Sequence, residues 1–114
     1  MELEERLENR LMSHGVYVRE VDAGERLDLT YETVAPGEGV PHRDIGRIVN
    51  LLREMREQGD WEHTPIRGEA SDPEGEYLGT WHVKVEWLEA LQEEDLSEVA
   101  FSQRVLDTIE EAEG

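Results

Sequence analysis

Leu27, Leu29, Tyr31 and Thr33 stand at every second position; shortly afterwards Ile45, Ile48, Val49, Leu52 and Met55 recur at intervals of three and four. The first spacing is that of a half-buried strand, the second that of a helix with one buried face. A chain that changes period in this way can be neither all-helical nor all-strand. Between the two runs lies Ala35-Pro-Gly-Glu-Gly-Val-Pro41, a loop by its glycines and prolines. The helix is expected over roughly Pro41 to Gln58, with proline in its first turn and Gly59 just past its end.

The same reading extends in both directions. Leu3, Leu7 and Leu11, separated by charges, predict a short amphipathic helix that stops at Gly15. Val16 and Val18 predict a strand that pairs with the Leu27–Thr33 run. A two-residue Ala23-Gly24 loop would set Val18 opposite Leu29 and Val16 opposite Tyr31, with the apolar residues on one face. Further on, Asp72-Pro-Glu-Gly75 has the residues of a type I turn. Pairing 72 with 75 sets Ile66 opposite Trp81 and Thr64 opposite Val83. One face then carries Thr64, Ile66, Gly68, Ala70, Tyr77, Trp81, Val83 and Val85; the other carries His63, Arg67, Leu78, Thr80, His82 and Lys84. Pro65 has no N–H to give a ladder, so the third strand is expected at a sheet edge. After Val85 the spacing turns helical, with Trp87, Leu88 and Leu91. Asp95-Leu-Ser-Glu98 resembles a capping box and opens a last helix with Phe101, Val105, Leu106 and Ile109 inward.

A hairpin cannot bury its own apolar face. The expected fold is therefore α+β: a two-layer sandwich in the order α-ββ-α-ββ-α, whose four-stranded antiparallel sheet carries helices on one face. At 114 residues it is read as a single domain over 1–114. Arg47-Ile-Val-Asn-Leu-Leu52 and Arg104-Val-Leu-Asp-Thr-Ile109 form a weak internal repeat.

Charge sets the expected surroundings. The chain has 29 acidic residues against 11 basic ones, a net charge of -18, and Lys84 is its only lysine. Self-repulsion on this scale relaxes when salt shortens the screening length to about 3 Å near 1 M. An acidic, lysine-poor chain with strong apolar periodicity is thus expected to be a folded halophilic protein of the cytoplasm of a salt-in organism. The acids are spread along the chain rather than gathered in a block, which argues against a DNA-mimicking or basic-partner protein. The absence of cysteine removes disulfides, thiolate zinc sites and cysteine nucleophiles. No apolar run approaches the roughly 20 residues of a membrane span, and the acidic start MELEERLENRL does not read as a signal peptide.

With so many carboxylates, acid pairs fall together by chance, and a two-carboxylate hydrolase cannot be argued. No HExxH, GxSxG or GK[ST] pattern occurs. The loop APGEGVP precedes a helix, but Glu38 would repel a phosphate there, so a plain connector is expected. In the proposed register His63 and His82 are diagonal neighbours on the exposed sheet face, roughly 7–8 Å apart, where they could share a metal. The second helix carries Arg43, Arg47, Arg53 and Arg56 against Asp44 and Glu54, a net-positive island in a negative chain. It could receive an acidic partner, a phosphate backbone or a second copy, or the arginines could simply pair with nearby acids. Solvent-side Leu78 and an exposed Trp61 would add apolar area to a homodimer contact.

The segments HGVYVREVDAGERLDLTYETVAPGE, LGTWHVKVEWLEAL and FSQRVLDTIEEA resemble a family of small acidic haloarchaeal proteins of unassigned function. The resemblance covers most of the chain and implies a salt-rich cytoplasm; it implies no catalytic residue. The leading expectation is a non-catalytic protein-interaction or regulatory module without a cofactor, working as a homodimer through Arg43, Arg47, Arg53, Arg56, Trp61 and Leu78. The alternatives are a nucleic-acid-associated accessory factor using the second helix and a small-ligand or metal-dependent enzyme around His63 and His82.

Overall fold

A computed structural model describes residues 3–35 and 39–111. The chain runs α1 (Leu3–Met12), β1 (Val16–Ala23), β2 (Leu27–Thr33), α2 (His42–Glu57), β3 (Ile66–Ser71), β4 (Tyr77–Val83), α3 (Val85–Gln92), α4 (Glu98–Leu106) and β5 (Glu110–Glu111). Of the loop expected at 35–41, Pro36, Gly37 and Glu38 lie outside the described residues.

α2 forms because its apolar stripe meets the sheet; its first turn carries a favourable charge and its C-terminal end is closed by local hydrogen bonds. Asp44, in the first turn, places negative charge near the positive end of the helix dipole. Its buried carboxylate accepts the hydroxyl of buried Thr33 on β2, which ties helix to strand. At the other end Gly59 adopts φ 80°, the left-handed conformation that glycine takes without Cβ strain. There Gly59 N–H donates to Arg56 (3.1 Å) and Asp60 N–H to Met55 (2.9 Å), the double closure of a Schellman motif.

The architecture is α+β, as expected, but the sheet is mixed and five-stranded in the order β1-β2-β3-β4-β5, not four-stranded and antiparallel. β2 and β3 run parallel, with Leu27 opposite Ile66 and Tyr31 opposite Ala70. The reason is the long crossover through α2, which returns the chain to the end of the sheet where β2 began; parallel neighbours need such a connection. β3 is consequently central rather than an edge strand. Pro65 is accommodated because it lies just before β3, where only its carbonyl is needed: it accepts the Leu27 N–H at 2.8 Å.

Both hairpin registers differ from expectation, and both by two residues. In the first, Val18 faces Tyr31 and Val16 faces Thr33; the turn is longer than two residues and a bulge falls at Arg19. In the second, Ile66 faces Val83 and Gly68 faces Trp81. The Asp72–Gly75 turn does form, with Gly75 N–H donating to Asp72 at 2.9 Å, but it closes onto Glu76, and a second irregularity falls at Leu78. In the first hairpin the turn shifts the pairing by three residues and the bulge takes one back; in the second, turn and bulge each add one. The net shift of two keeps the parity, so Ile66, Gly68, Ala70, Trp81 and Val83 are buried as expected. Tyr77, beyond the Leu78 bulge, is turned outward and is 47% exposed.

The last helix also differs. Its cap is Ser97, whose hydroxyl accepts from Ala100 N–H (3.1 Å), rather than Asp95. It ends at Leu106, and the chain turns through Asp107 and Thr108 to add β5 along β4. The Thr108 hydroxyl accepts the His82 N–H at 2.9 Å, so this return covers part of an otherwise open strand edge.

The core is one continuous cluster to which the sheet and all four α-helices contribute. Its centre is Trp81, which lies over Gly68 and donates its indole N–H to the Tyr31 hydroxyl at 2.9 Å. Burial pushes the Tyr31 phenol pKa well up, nearby Asp44 adds to this, and the Trp81 hydrogen bond opposes it. The opposite sheet face is polar and carries the ion pairs Arg19–Glu32, Arg26–Asp28 and Arg67–Glu69.

Gly68→Ala tests this arrangement. A Cβ at position 68 would overlap the indole of Trp81, whereas one at Gly24 meets nothing within 4 Å. Denaturant unfolding should show a loss of about 1–3 kcal/mol for Gly68→Ala and a change within about 0.5 kcal/mol for Gly24→Ala.

Candidate functional site

Helical geometry divides the arginines of α2 between two sides. Arg43 and Arg47, four residues apart, share one side; Arg53 and Arg56 share another. Arg47 donates to the His14 carbonyl at 3.3 Å, and Arg53 pairs with Glu98 of α4 at 3.2 Å. Arg56 is half-buried, with its Nε enclosed and without a hydrogen-bond partner among the described residues. Trp61, expected at the surface, is 7% exposed and belongs to the core. Leu78 packs half-buried at the β4 bulge. The six residues grouped from the sequence do not share one surface.

Nor are His63 and His82 brought together. β3 starts at Ile66, so His63 lies outside the ladder. Its ring meets Trp61 edge-on at 5.6 Å, and it lines a groove of about 580 Å³ with Arg56, Glu89 and Glu93. Burial lowers its pKa; Arg56 and Arg53 lower it further, and Glu89 partly offsets them. His82 is on β4 opposite Arg67, and its ring stacks on Trp87 at 6.2 Å. Among the described residues no group of three or more His, Cys, Asp or Glu is placed to hold a metal ion.

The geometry instead draws attention to the groove between α2 and α4. Ile45 and Val49 form one wall, Phe101, Val105 and Leu106 the other, around a space of about 230 Å³. The Arg53–Glu98 pair lies across it. Gly46 sits in the α2 wall, and a Cβ there would meet nothing within 4 Å. A mid-helix glycine costs about 1 kcal/mol relative to alanine, and no contact within the chain requires it. Beside the groove, in the first turn of α4, Val99 is 81% exposed, the most exposed large apolar side chain described. The signal for Gly46 was present in the sequence, as a glycine inside the strongest helical stripe. Val99 carried none, because an isolated surface valine is ordinary.

Fold and groove together define a two-layer α+β domain with a mixed sheet and a helix-lined surface cleft. The chain belongs to the family described as a domain of unknown function, DUF8159, whose model matches residues 1–114. No curated protein and no solved structure matches it.

The depressed pKa of His63 gives a pH prediction. Below its ordinary value of 6.5 the unfolded chain takes up this proton more readily than the folded one. Acidification therefore removes stability from pH about 6.5 down to the lower folded pKa, and stability rises with pH across that window. Urea unfolding from about pH 5 to pH 8 should show this rise flattened in His63→Gln relative to the unaltered chain.

Proposed function

We propose that this domain is a non-catalytic interaction module that pairs with a second copy of itself through the α2/α4 groove. The observation that carries this reading is Gly46: an open notch in a helix wall, beside an apolar knob at Val99. Val99 adjoins Glu98 of the groove lining along α4, and in this reading a two-fold axis seats each Val99 in the other copy's groove; twofold contacts are self-complementary in this sense. Charge favours the same occupant. The groove lining carries one cation, Arg53, and one carboxylate, Glu98, against a chain net charge of -18. Two equally acidic copies meet less repulsion here than at an average surface.

Sedimentation in concentrated KCl should show a dimer at high protein concentration. Val99→Glu should make it monomeric while changing monomer stability by no more than about 0.5 kcal/mol. Gly46→Ala should weaken pairing yet stabilise the monomer by up to about 1 kcal/mol. A sample that is monomeric throughout, or pairing indifferent to both substitutions, overturns the reading.

The setting we propose is a salt-rich archaeal cytoplasm. It is supported by the 29 acidic residues, of which Asp44 alone is buried among the described charged side chains. Among the described residues no helix is long and apolar enough to cross a membrane. The thermal midpoint should climb as KCl is raised from about 0.1 M to about 2 M, with most of the gain by about 1 M, where the screening length is already near 3 Å.

A further inference from the structure

The chain has carboxylates to spare, yet not every cation is matched with one. Arg6, Arg10, Arg19, Arg26, Arg53 and Arg67 each have a carboxylate partner. Arg43, Arg47, Arg56, Lys84 and Arg104 have none among the described residues, and of these Lys84 and Arg104 line one cleft of about 410 Å³ at the β4 edge of the sheet. They come from different elements. Lys84 is the extended residue between β4 and α3, and Arg104 lies in the last turn of α4. Trp87, in the first turn of α3, forms part of the lining, with the Lys84 ammonium 5.6 Å from its ring centre. The ring of exposed His82 lies nearly parallel to the Trp87 indole, at 18°. An adjoining groove of about 510 Å³ shares His82 and Lys84 and adds Arg26 and Arg67.

We infer that this cleft binds a nucleoside phosphate, with its base against Trp87 and its phosphate between Lys84 and Arg104. The His82 ring already lies against the indole, so the base takes the place of that ring when it binds. An ammonium and a guanidinium without carboxylate partners supply the counter-charge. Stacking also matters for persistence in salt. Purely ionic contacts are screened within a few ångströms near 1 M, whereas contact between an aromatic side chain and a base is not, and it tolerates any base. Two carboxylates oppose the ligand. Both are exposed; Asp107 is engaged by the Gln103 amide at 3.0 Å, and Glu110 is the one that the phosphate must pass. The cleft does not overlap the α2/α4 groove, so this inference stands or falls separately from self-association.

The chain's own fluorescence provides the test. Trp61 and Trp81 are buried, which leaves half-buried Trp87 as the accessible reporter among the three tryptophans. Adenosine monophosphate and, separately, a short single-stranded oligonucleotide are titrated in about 0.2 M and about 2 M KCl. Saturable quenching is expected at both salt concentrations, tighter at the lower. Lys84→Gln and Arg104→Gln, both at exposed positions, should each weaken binding about five-fold at lower salt, and Glu110→Gln should tighten it about two-fold. Trp87→Leu, checked for folding by circular dichroism, should lose binding by calorimetry, and Trp87→Phe should retain most of it. An oligonucleotide bound at least about ten-fold tighter than the mononucleotide identifies a nucleic-acid strand as the source; comparable affinities identify the free nucleotide. The inference is overturned by no saturable quenching up to about 10 mM of either probe, by binding indifferent to Lys84 and Arg104, or by inorganic phosphate competing as well as the nucleotide.

Discussion

The placement of one indole governs the centre of this molecule. Trp81 can lie flat across the sheet only because its neighbour on β3 is Gly68, and a Cβ at that position would occupy the ring's space. Its N–H would be costly to bury unpaired, and the Tyr31 hydroxyl, two strands away, receives it. Tyr31 in turn stands beside Ala70, which faces Gly79. Large residues on β2 and β4 thus close over small ones on β3. This alternation lets three strands share one layer at the density of a protein interior. It also explains why β3, the strand with least bulk of its own, is the one at the middle.

Much of the fold was legible because burial parity survives small errors. The stripes of α1 and α2, the strand runs and the inward residues Ile66, Trp81 and Val83 follow from period alone. Strand direction does not: Val16–Thr33 and Ile66–Val83 read as hairpins whichever way they are set side by side. The parallel pairing of Leu27 with Ile66 depends on how α2 crosses the sheet, which is tertiary information. Nor could local pattern show the bulges at Arg19 and Leu78, since turn and bulge together move each register by two residues and leave the alternation looking regular. Helix four was drawn too long for a related reason. Ile109 continues its stripe, but the Thr108 hydroxyl is taken by the backbone of His82 and the chain turns away.

The site was less legible than the fold. Grouping Arg43, Arg47, Arg53 and Arg56 by their nearness in sequence ignored the rotation of the helix, which puts Arg47 beside His14, Arg53 beside Glu98 of α4 and Arg56 in a groove with Glu89 of α3. His63 and His82 were joined by a register that the turn at Gly75 alters. What distinguishes the α2/α4 groove and the Lys84 cleft is convergence from separate elements, together with empty space at Gly46 or two cations without ion-pair partners at Lys84 and Arg104. Spacing along the chain does not encode either. Even the acidity looks different in three dimensions: the carboxylates lie almost entirely at the surface, and Asp44, the exception, joins helix to sheet through Thr33.

The parallel contact between β2 and β3 has a consequence for how the polypeptide is made. When the first hairpin leaves the ribosome, one side of β2 has no neighbour, and its partner will not emerge until α2 and the following connection have been translated. At about 5–20 residues per second this takes a few seconds. Throughout that interval Leu29 and Tyr31 await the small residues that will lie beside them. The nascent first half is therefore a fragment with an unfinished seam, and the closing stitch is delivered by the second half of the same message.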